Sequence, residues 1–447
     1  MVADNAILTV EIGSTITKVN GFIRSPAGGF THACQGFAPT SVTQGDVMFG
    51  VEQALAQLNV ECGSFPKEAE VFVNSSAAGG LRMTVHGLTY NMTARAAREA
   101  ALGAGAIVKK VTAGLLDEYE LQEIREIRPN IILLAGGVEY GDKETVLENA
   151  RKLASLGLPV PVVYAGNSAL RRPIGDMYSQ AGIELLIADN VFPEVDVLNI
   201  EPLRKIIHEV FNRHIIHAPG MQRISELTSH KVMPTPGAVL RAAELFNECF
   251  GDCLVFDIGG ATTDVHSVTD GSSEYALKLI EPEPRAKRTV EGDLGVFINA
   301  ANIVELAEDT PQNLDLHELQ AIPHTESQVE LTRWLCSRAV EIAIRRHAAV
   351  VTDLYTPTGK KQVVKGKDLT AVKWVIGTGG ALTRIEGGST ILENVCKGPG
   401  KYLLPSPHAS ILLDRRYRFS AWGTIAQAYP EEVKNSIKDW VESESHD

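Results

Sequence analysis

Apolar and β-branched residues crowd into two short runs near the start of the chain, 6–12 and 17–23, with Gly13-Ser14-Thr15 between them. Runs of that length bounded by turn residues predict two strands joined by a tight turn. A third strand is expected over about 29–38 and another over 70–76, while the apolar spacing of 45–58 predicts a helix. The alanine-rich stretch 93–108 also reads as a helix, its small residues suited to close packing. From 130 the pattern changes. Apolar runs at 130–137, 160–167 and 183–190 alternate with helical segments that reach about 157 and 181. Such alternation indicates a parallel sheet covered on both faces.

Helical spacing returns over about 199–217 and again over 234–250. The run 253–268 then repeats the opening unit of strand, Gly/Thr turn and strand. A Pro- and charge-rich loop (281–288) follows, then a helix from about 296, a long helix around 326–350, and a strand–glycine turn–helix unit at 373–384. The tail from Tyr417 reads as helical, with an acidic, frayed end. The recurrence of one unit near 7–23 and 253–268 predicts two related halves. The expected organisation is a first half over 1–125, an inserted α/β module over 126–217, a helical connection over 218–250, a second half over 251–415 and a C-terminal helix over 416–447.

A chain of 447 residues, 44% hydrophobic, is long enough for two or three domains with a core each. The net charge of -13 and the lack of a long basic run argue against nucleic acid as a partner. Six scattered cysteines (34, 62, 249, 253, 336 and 396) do not form a disulfide framework. Cys249 and Cys253 lack the second ligand pair of a structural zinc site and read as small buried side chains. His208, His214 and His217 share one helical run without a carboxylate to complete a motif, and read as surface and core histidines. The first residues lack the basic and apolar segments of an export signal, and no apolar stretch approaches the ~20 residues of a spanning helix. No membrane partner is expected, and the cytoplasm is the default expectation.

Three glycine turns carry the candidate chemistry. The first is Glu11-Ile12-Gly13-Ser14-Thr15-Ile16-Thr17-Lys18. Glycine lets the backbone approach an anion, amides and hydroxyls offer donors to phosphate oxygens, Lys18 adds a charge, and Glu11 can hold a magnesium-bound water. An ordinary tight turn would look the same in isolation. In Asp257-Ile258-Gly259-Gly260-Ala261-Thr262-Thr263-Asp264 an acid ends a buried strand, glycines open the backbone, threonines supply hydroxyls, and a second acid follows. A purely structural hairpin has little use for that density of glycine and carboxylate. The third turn, Gly377-Thr378-Gly379-Gly380-Ala381, follows a strand and precedes a helix, where glycines also serve packing alone. Two phosphate hairpins from different halves can clamp one β/γ-phosphate pair while the third turn supports adenosine. Glu11, Asp257 and Asp264 are the candidate magnesium ligands, with Asp257 and Glu11 the candidate catalytic groups.

This order resembles the actin/Hsp70/sugar-kinase superfamily of ATP-binding proteins, in which nucleotide lies between two ribonuclease-H-like halves. By that resemblance Glu291 and Asp293, in RTVEGDLG (288–295), lie beside the nucleotide, and Arg285, Lys287 and Arg288 form a loop open to either phosphate or solvent. A narrower resemblance is carried by NSSAAGGLRM (74–83), ILLAGGVEYGDKETVLENA (132–150), VYAGN (163–167), PTPGAVLRAAE (236–244), FDIGGATTDVHSV (256–268), GKDLTAVKWVIGTGGAL (366–382) and DRRYRFSAWGTIA (414–426). These phrases are similar to the MutL/GlmL family, accessory proteins of coenzyme-B12-dependent glutamate mutase and related aminomutases. The resemblance implies an ATP- and Mg2+-dependent ATPase that reactivates or activates a B12-dependent mutase. One departure is Glu11, where the family's first turn usually begins with aspartate; the extra methylene moves the carboxylate by roughly 1.5 Å.

The module at 126–217 could be mistaken for a cobalamin-binding domain, which is also doubly wound and carries Asp-x-His-x-x-Gly, whose His ligates cobalt. After Asp264-Val265-His266 and Asp315-Leu316-His317, however, Thr269 and Gln320 stand where glycine is needed, so cobalt ligation by that motif is not expected. Scaffolding and mutase docking both remain open as roles for the module. The competing functions are a small-molecule kinase of the same fold, a non-catalytic actin-like assembly protein, and an iron-sulfur dehydratase activator. Oligomer formation is left open.

Overall fold

The structure, a computed structural model, describes residues 6–26, 28–66, 68–77, 81–311, 314–356, 359–398 and 400–444. Positions 78–80 of the phrase at 74–83 and the acidic end at 445–447 lie outside them. The chain divides into two compact units, Met1–Ala78 with Pro219–Asp447, and Gly79–Ala218.

The first unit opens with β1 (Ala6–Ile12), β2 (Ile16–Arg24), β3 (Phe30–Pro39), α1 (Met48–Cys62) and β4 (Glu70–Ser75). β1 pairs antiparallel with β2 and parallel with β4, and β3 runs antiparallel on β2. β1 is buried along its whole length, as its unbroken apolar run requires.

The second unit holds β5 (Arg82–Gly87), α2 (Arg95–Gly103), β6 (Ile107–Ala113), α3 (Glu118–Ile127), β7 (Ile131–Leu134), α4 (Glu144–Ser155), β8 (Val162–Tyr164), α5 (Arg171–Gln180), β9 (Leu185–Ile187) and α6 (Glu201–Ile215). Its sheet is parallel throughout, in the order β6-β5-β7-β8-β9. That is a doubly wound arrangement with its own core of Leu121, Ile132, Val146, Tyr164 and Tyr178. The module expected to begin at 126 therefore begins near 79, because β5 and β6 belong to this sheet. Polar residues hide those strands in the sequence. Thr84 and His86 of β5 are buried, and His86 is satisfied by the Thr112 and Thr84 hydroxyls at 2.8 and 3.0 Å. Such pairing exists only once the strands are side by side. The helix expected over 93–108 ends at Gly103 for the same reason, with β6 starting at Ile107.

Back in the first unit, β10 (Met233–Pro234) joins β4, so the insertion lies between the fourth and fifth strands of the first sheet. After α7 (Thr235–Phe250) come β11 (Cys253–Ile258), β12 (Thr263–Val268), α8 (Ser273–Ala276), β13 (Ala286–Glu291), α9 (Ala300–Leu306) and α10 (Glu326–His347). A ribbon of β14 (Val350–Thr356) and β15 (Gly359–Lys365) precedes β16 (Trp374–Thr378), α11 (Gly380–Thr383), α12 (Gly388–Val395), β17 (Ser410–Leu413), α13 (Arg418–Ile425) and α14 (Pro430–Glu444). The two sheets run β3-β2-β1-β4-β10 and β13-β12-β11-β16-β17. Counted within each half, both orders are 3-2-1-4-5, with the same parallel and antiparallel senses. This is the pair of related ribonuclease-H-like α/β halves expected from the repeated strand–turn–strand unit.

Helices α7 and α13 join the halves. They cross so closely that a Cβ at Gly423 would lie 1.7 Å from the Ala238 carbonyl oxygen. Around them Phe246, Phe419, Trp422 and Trp440 share one core with Phe72 of the first sheet and Val255 and Ile376 of the second. Among the described residues no helix is long and apolar enough to cross a membrane.

Candidate functional site

The turns at Gly13 and Gly259 are built alike. Glu11 faces Lys18 across β1 and β2, and Asp257 faces Asp264 across β11 and β12. Each glycine amide closes its turn three residues on, Gly13 to the Ile16 carbonyl at 3.1 Å and Gly259 to that of Thr262 at 2.9 Å. A Cβ at Gly13 would sit 2.5 Å from the Ile16 oxygen, so glycine is required there.

The turn carbonyls are engaged from outside. Thr40 donates its hydroxyl to Gly13 O and its amide to Thr15 O, at 2.8 and 2.9 Å. Gly259 O and Gly260 O accept from the amides of Val296, Phe297 and Ile298, and Ala261 O accepts from Asn299 Nδ2 at 2.8 Å. The helix expected from 296 starts at Ala300 because these residues serve the turn. Among the described residues the amides of Ser14, Thr15, Gly260, Ala261 and Thr262 donate to nothing. Successive free amides form a nest for an anion. The two nests face each other, since a Cβ at Gly260 would lie 3.4 Å from Thr15 Oγ1.

The carboxylates have distinct surroundings. Glu11 is buried, bound to Lys18 Nζ and the Ser420 hydroxyl. Burial pulls the Lys18 ammonium down, but Glu11, Tyr417 and Asp257 outweigh it and hold the charge firmly. Lys18 also lies 4.5 Å from the Tyr417 ring centre. Asp264, a candidate metal ligand, is in a buried ion pair with Arg288, at 2.7 Å to Nη2 and 2.9 Å to Nε, and accepts from Thr262 Oγ1 at 3.3 Å. Thr263, expected at phosphate, donates its buried hydroxyl to Leu294 O at 2.7 Å, which makes it a structural residue. Asp257 is the half-buried carboxylate without a hydrogen bond among the described residues. Burial pushes its carboxyl up, Lys18 opposes, Asp264 and Glu11 reinforce, and it reaches about 7. Among the described residues no group of three His, Cys, Asp or Glu side chains is placed to hold a metal.

Glu291 and Asp293 are both held by Arg346 of α10, at 2.6 Å for Glu291 and at 2.8 and 2.9 Å for Asp293. Burial nevertheless raises the Glu291 carboxyl, whereas the hydrogen bonds from Arg346 lower that of Asp293. The sequence does not single out Arg346, which sits in the basic last turn of a long helix. At the third turn, Gly377 makes room for Leu382, Leu392 and Leu413. Thr378 lies beside Asp257 in register and donates to Asp414 at 3.4 Å. Gly379 has φ 88°, and a Cβ there would lie 2.3 Å from Ile258 O. Gly380 packs against the Tyr417 hydroxyl. The third turn is thus seated on the second hairpin.

A family model described as MutL protein matches residues 7–441. The chain belongs to the MutL family. A curated relative, Protein MutL of Clostridium tetanomorphum, is 35% identical over 464 residues, covering 98% of this chain and 99% of its own. Among solved structures, nucleotide-free acetone carboxylase is 14% identical with TM-score 0.41, over 94% of this chain and 70% of that one. Nucleotide-free diol dehydratase-reactivating factor is 12% identical with TM-score 0.35, over 96% and 100% of the two chains. Xylulose kinase from Bifidobacterium adolescentis is 10% identical with TM-score 0.31, over 97% and 94%. Likenesses this loose carry no weight for function, and the fold of this MutL-family chain rests on its two matched sheets.

Proposed function

We propose that this protein is an accessory ATPase that reactivates or activates a coenzyme-B12-dependent mutase, glutamate mutase or a related aminomutase, through nucleotide-driven movement of its two halves. The observation that carries ATP binding is the pair of facing nests, whose five free amides and one lysine suit a β/γ-phosphate pair. Membership of the MutL family supports the accessory role. Magnesium fits the donor set. It needs only one or two carboxylates and keeps several waters, and Asp257 is the proton-holding carboxylate, without a hydrogen bond among the described residues, that a cation would discharge. Asp257, Glu11 and Asp264 would face the waters of the ion, and the ion would neutralise phosphate charge.

The chain's own groups then divide the work. Amides of both turns orient the phosphates, Lys18 supplies positive charge, and Asp257 takes a proton from the attacking water. Arg288 and Arg346 keep Asp264, Glu291 and Asp293 in place. Phosphates bridging both turns favour a closed cleft, and hydrolysis removes the bridge. The test is to inactivate the mutase of the native cell, then add this protein, adenosylcobalamin, magnesium and ATP. Recovery with ATP but not with a non-hydrolysable analogue is expected. Equal mutase affinity in the apo, ADP and ATP states, with no recovery, would sink the proposal.

A further inference from the structure

A cavity of about 410 Å³ opens where the two halves of the first unit meet. His32, Gln35 and Glu61 line it from the first half, and Thr383, Arg384, Arg415 and Arg416 from the second. Gln35 spans the gap: it accepts from Arg384 Nη2 at 3.0 Å and donates through Nε2 to the Arg416 carbonyl at 3.1 Å. Arg416 Nη1 lies 3.2 Å from His32 Nδ1, and Arg384 stacks 4.5 Å from the Phe37 ring centre.

Elsewhere in this unit the inward arginines hold acids: Arg288 has Asp264, Arg346 has Glu291 and Asp293, and Arg418 has Asp414. Around this cavity the pattern breaks. Among the described residues no carboxylate pairs with Arg384, Arg415 or Arg416, and the one acid in the lining, Glu61, accepts from the Gln35 amide. Three arginines in one lining, none of them paired with a carboxylate among the described residues, in a chain of net charge -13, call for an anion from outside. The planar forks of arginine match phosphate oxygens in pairs, which favours phosphate over a monovalent ion.

We propose that this cavity is a second anion site, distinct from the nests at Gly13 and Gly259, that takes a phosphate group and by bridging the halves couples its occupancy to the state of the cleft. Free phosphate and the phosphate of a second nucleotide share the chemistry. The anion site stands independently of the proposed mutase partnership; only its coupling rests on the ATP-binding reading. His32 offers a local reporter. Burial, then Arg416 and Arg418, hold its imidazole down to about 3, and an anion on Arg416 would raise it.

The experiment uses the full chain saturated with a non-hydrolysable ATP analogue and magnesium, so that the nests are filled. Inorganic phosphate is titrated in by calorimetry while the His32 imidazole is followed by NMR, its signal assigned with His32→Gln. Wild type should bind one phosphate saturably with a moving His32 signal. The exposed double variant Arg415→Gln/Arg416→Gln should bind it at least about tenfold more weakly and hold the analogue within about twofold of wild type. A second analogue molecule per chain in place of phosphate would identify the source as nucleotide and equally support the site. By reciprocity, phosphate should tighten analogue binding in wild type and not in the variant. Phosphate binding that is unsaturable or unchanged in the variant would overturn the inference. So would loss of analogue binding in a folded variant, which would assign the cavity to the nucleotide site itself. If wild type does not bind the analogue at all, the ATP reading fails, and the phosphate titration and its His32 signal still decide the anion site.

Discussion

At Asp257, burial without a hydrogen bond lifts a carboxyl from its ordinary 3.8 to about 7, with Lys18 opposing. The folded state therefore binds this proton more tightly than the unfolded chain. Its contribution to stability falls as pH rises from about 4 to about 7 and is level beyond. Asp257→Asn should remove that slope. The variant should equal wild type near pH 4 and exceed it at pH 8 by about 1–2 kcal/mol, after screening on the open side, in urea unfolding. ATP hydrolysis should fall at least about 10²-fold; unchanged turnover in the folded variant would remove Asp257 from the mechanism. Glu11 tests the opposite case, a carboxylate already partnered. Glu11→Ala strands the Lys18 ammonium and should cost about 2–4 kcal/mol in urea unfolding. Glu11→Asp keeps the charge and should retain magnesium-dependent turnover. Wild-type stability and magnesium dependence in the alanine variant would reduce Glu11 to a turn residue.

Among the elements, the crossing of α7 and α13 depends on a missing side chain. A methyl group at Gly423 would meet the Ala238 carbonyl at 1.7 Å, so Gly423→Ala must push the helices apart. A loss of about 1–3 kcal/mol is expected from overpacking, measured by thermal or urea unfolding. The Gly79–Ala218 unit has a five-stranded parallel sheet and its own core, including Ile132, Val146 and Tyr178. Expressed alone, it should melt cooperatively with a near-UV signal; a fragment starting at 126, which lacks β5 and β6, should not. Sequence pattern finds β7, β8 and β9 of this unit because their apolar runs are unbroken. It misses β5, whose buried Thr84 and His86 look like solvent-facing positions until Thr112 is beside them.

For the molecule as a whole, the free turn amides give closure a direct readout. Mg-ATP analogue should slow hydrogen exchange at Ser14, Thr15, Gly260, Ala261 and Thr262 together, because one phosphate pair bridges both nests. Protection confined to one turn would mean that the halves do not close on a common ligand. A coupling of ~3 kcal/mol between nucleotide and partner would already change partner affinity about 150-fold, which is sufficient for a bind-and-release cycle.

Local pattern alone determined the repeated strand–turn–strand units, the long helix α10 and the three glycine turns, because backbone conformation and burial of apolar runs follow from neighbours along the chain. It also brought Glu11, Lys18, Asp257 and Asp264 into view as one charged set. Tertiary structure alone decided how those charges divide. Ser420 lies 409 residues from Glu11 and Arg288 24 residues from Asp264, and these distant groups tie down two carboxylates and leave Asp257 free. It likewise decided that Thr263 is structural, that Arg346 holds Glu291 and Asp293, and that three arginines with no carboxylate paired to them among the described residues share one cavity. Each outcome depends on which groups are near enough to desolvate, pair with or repel one another, and spacing along the chain does not contain that information.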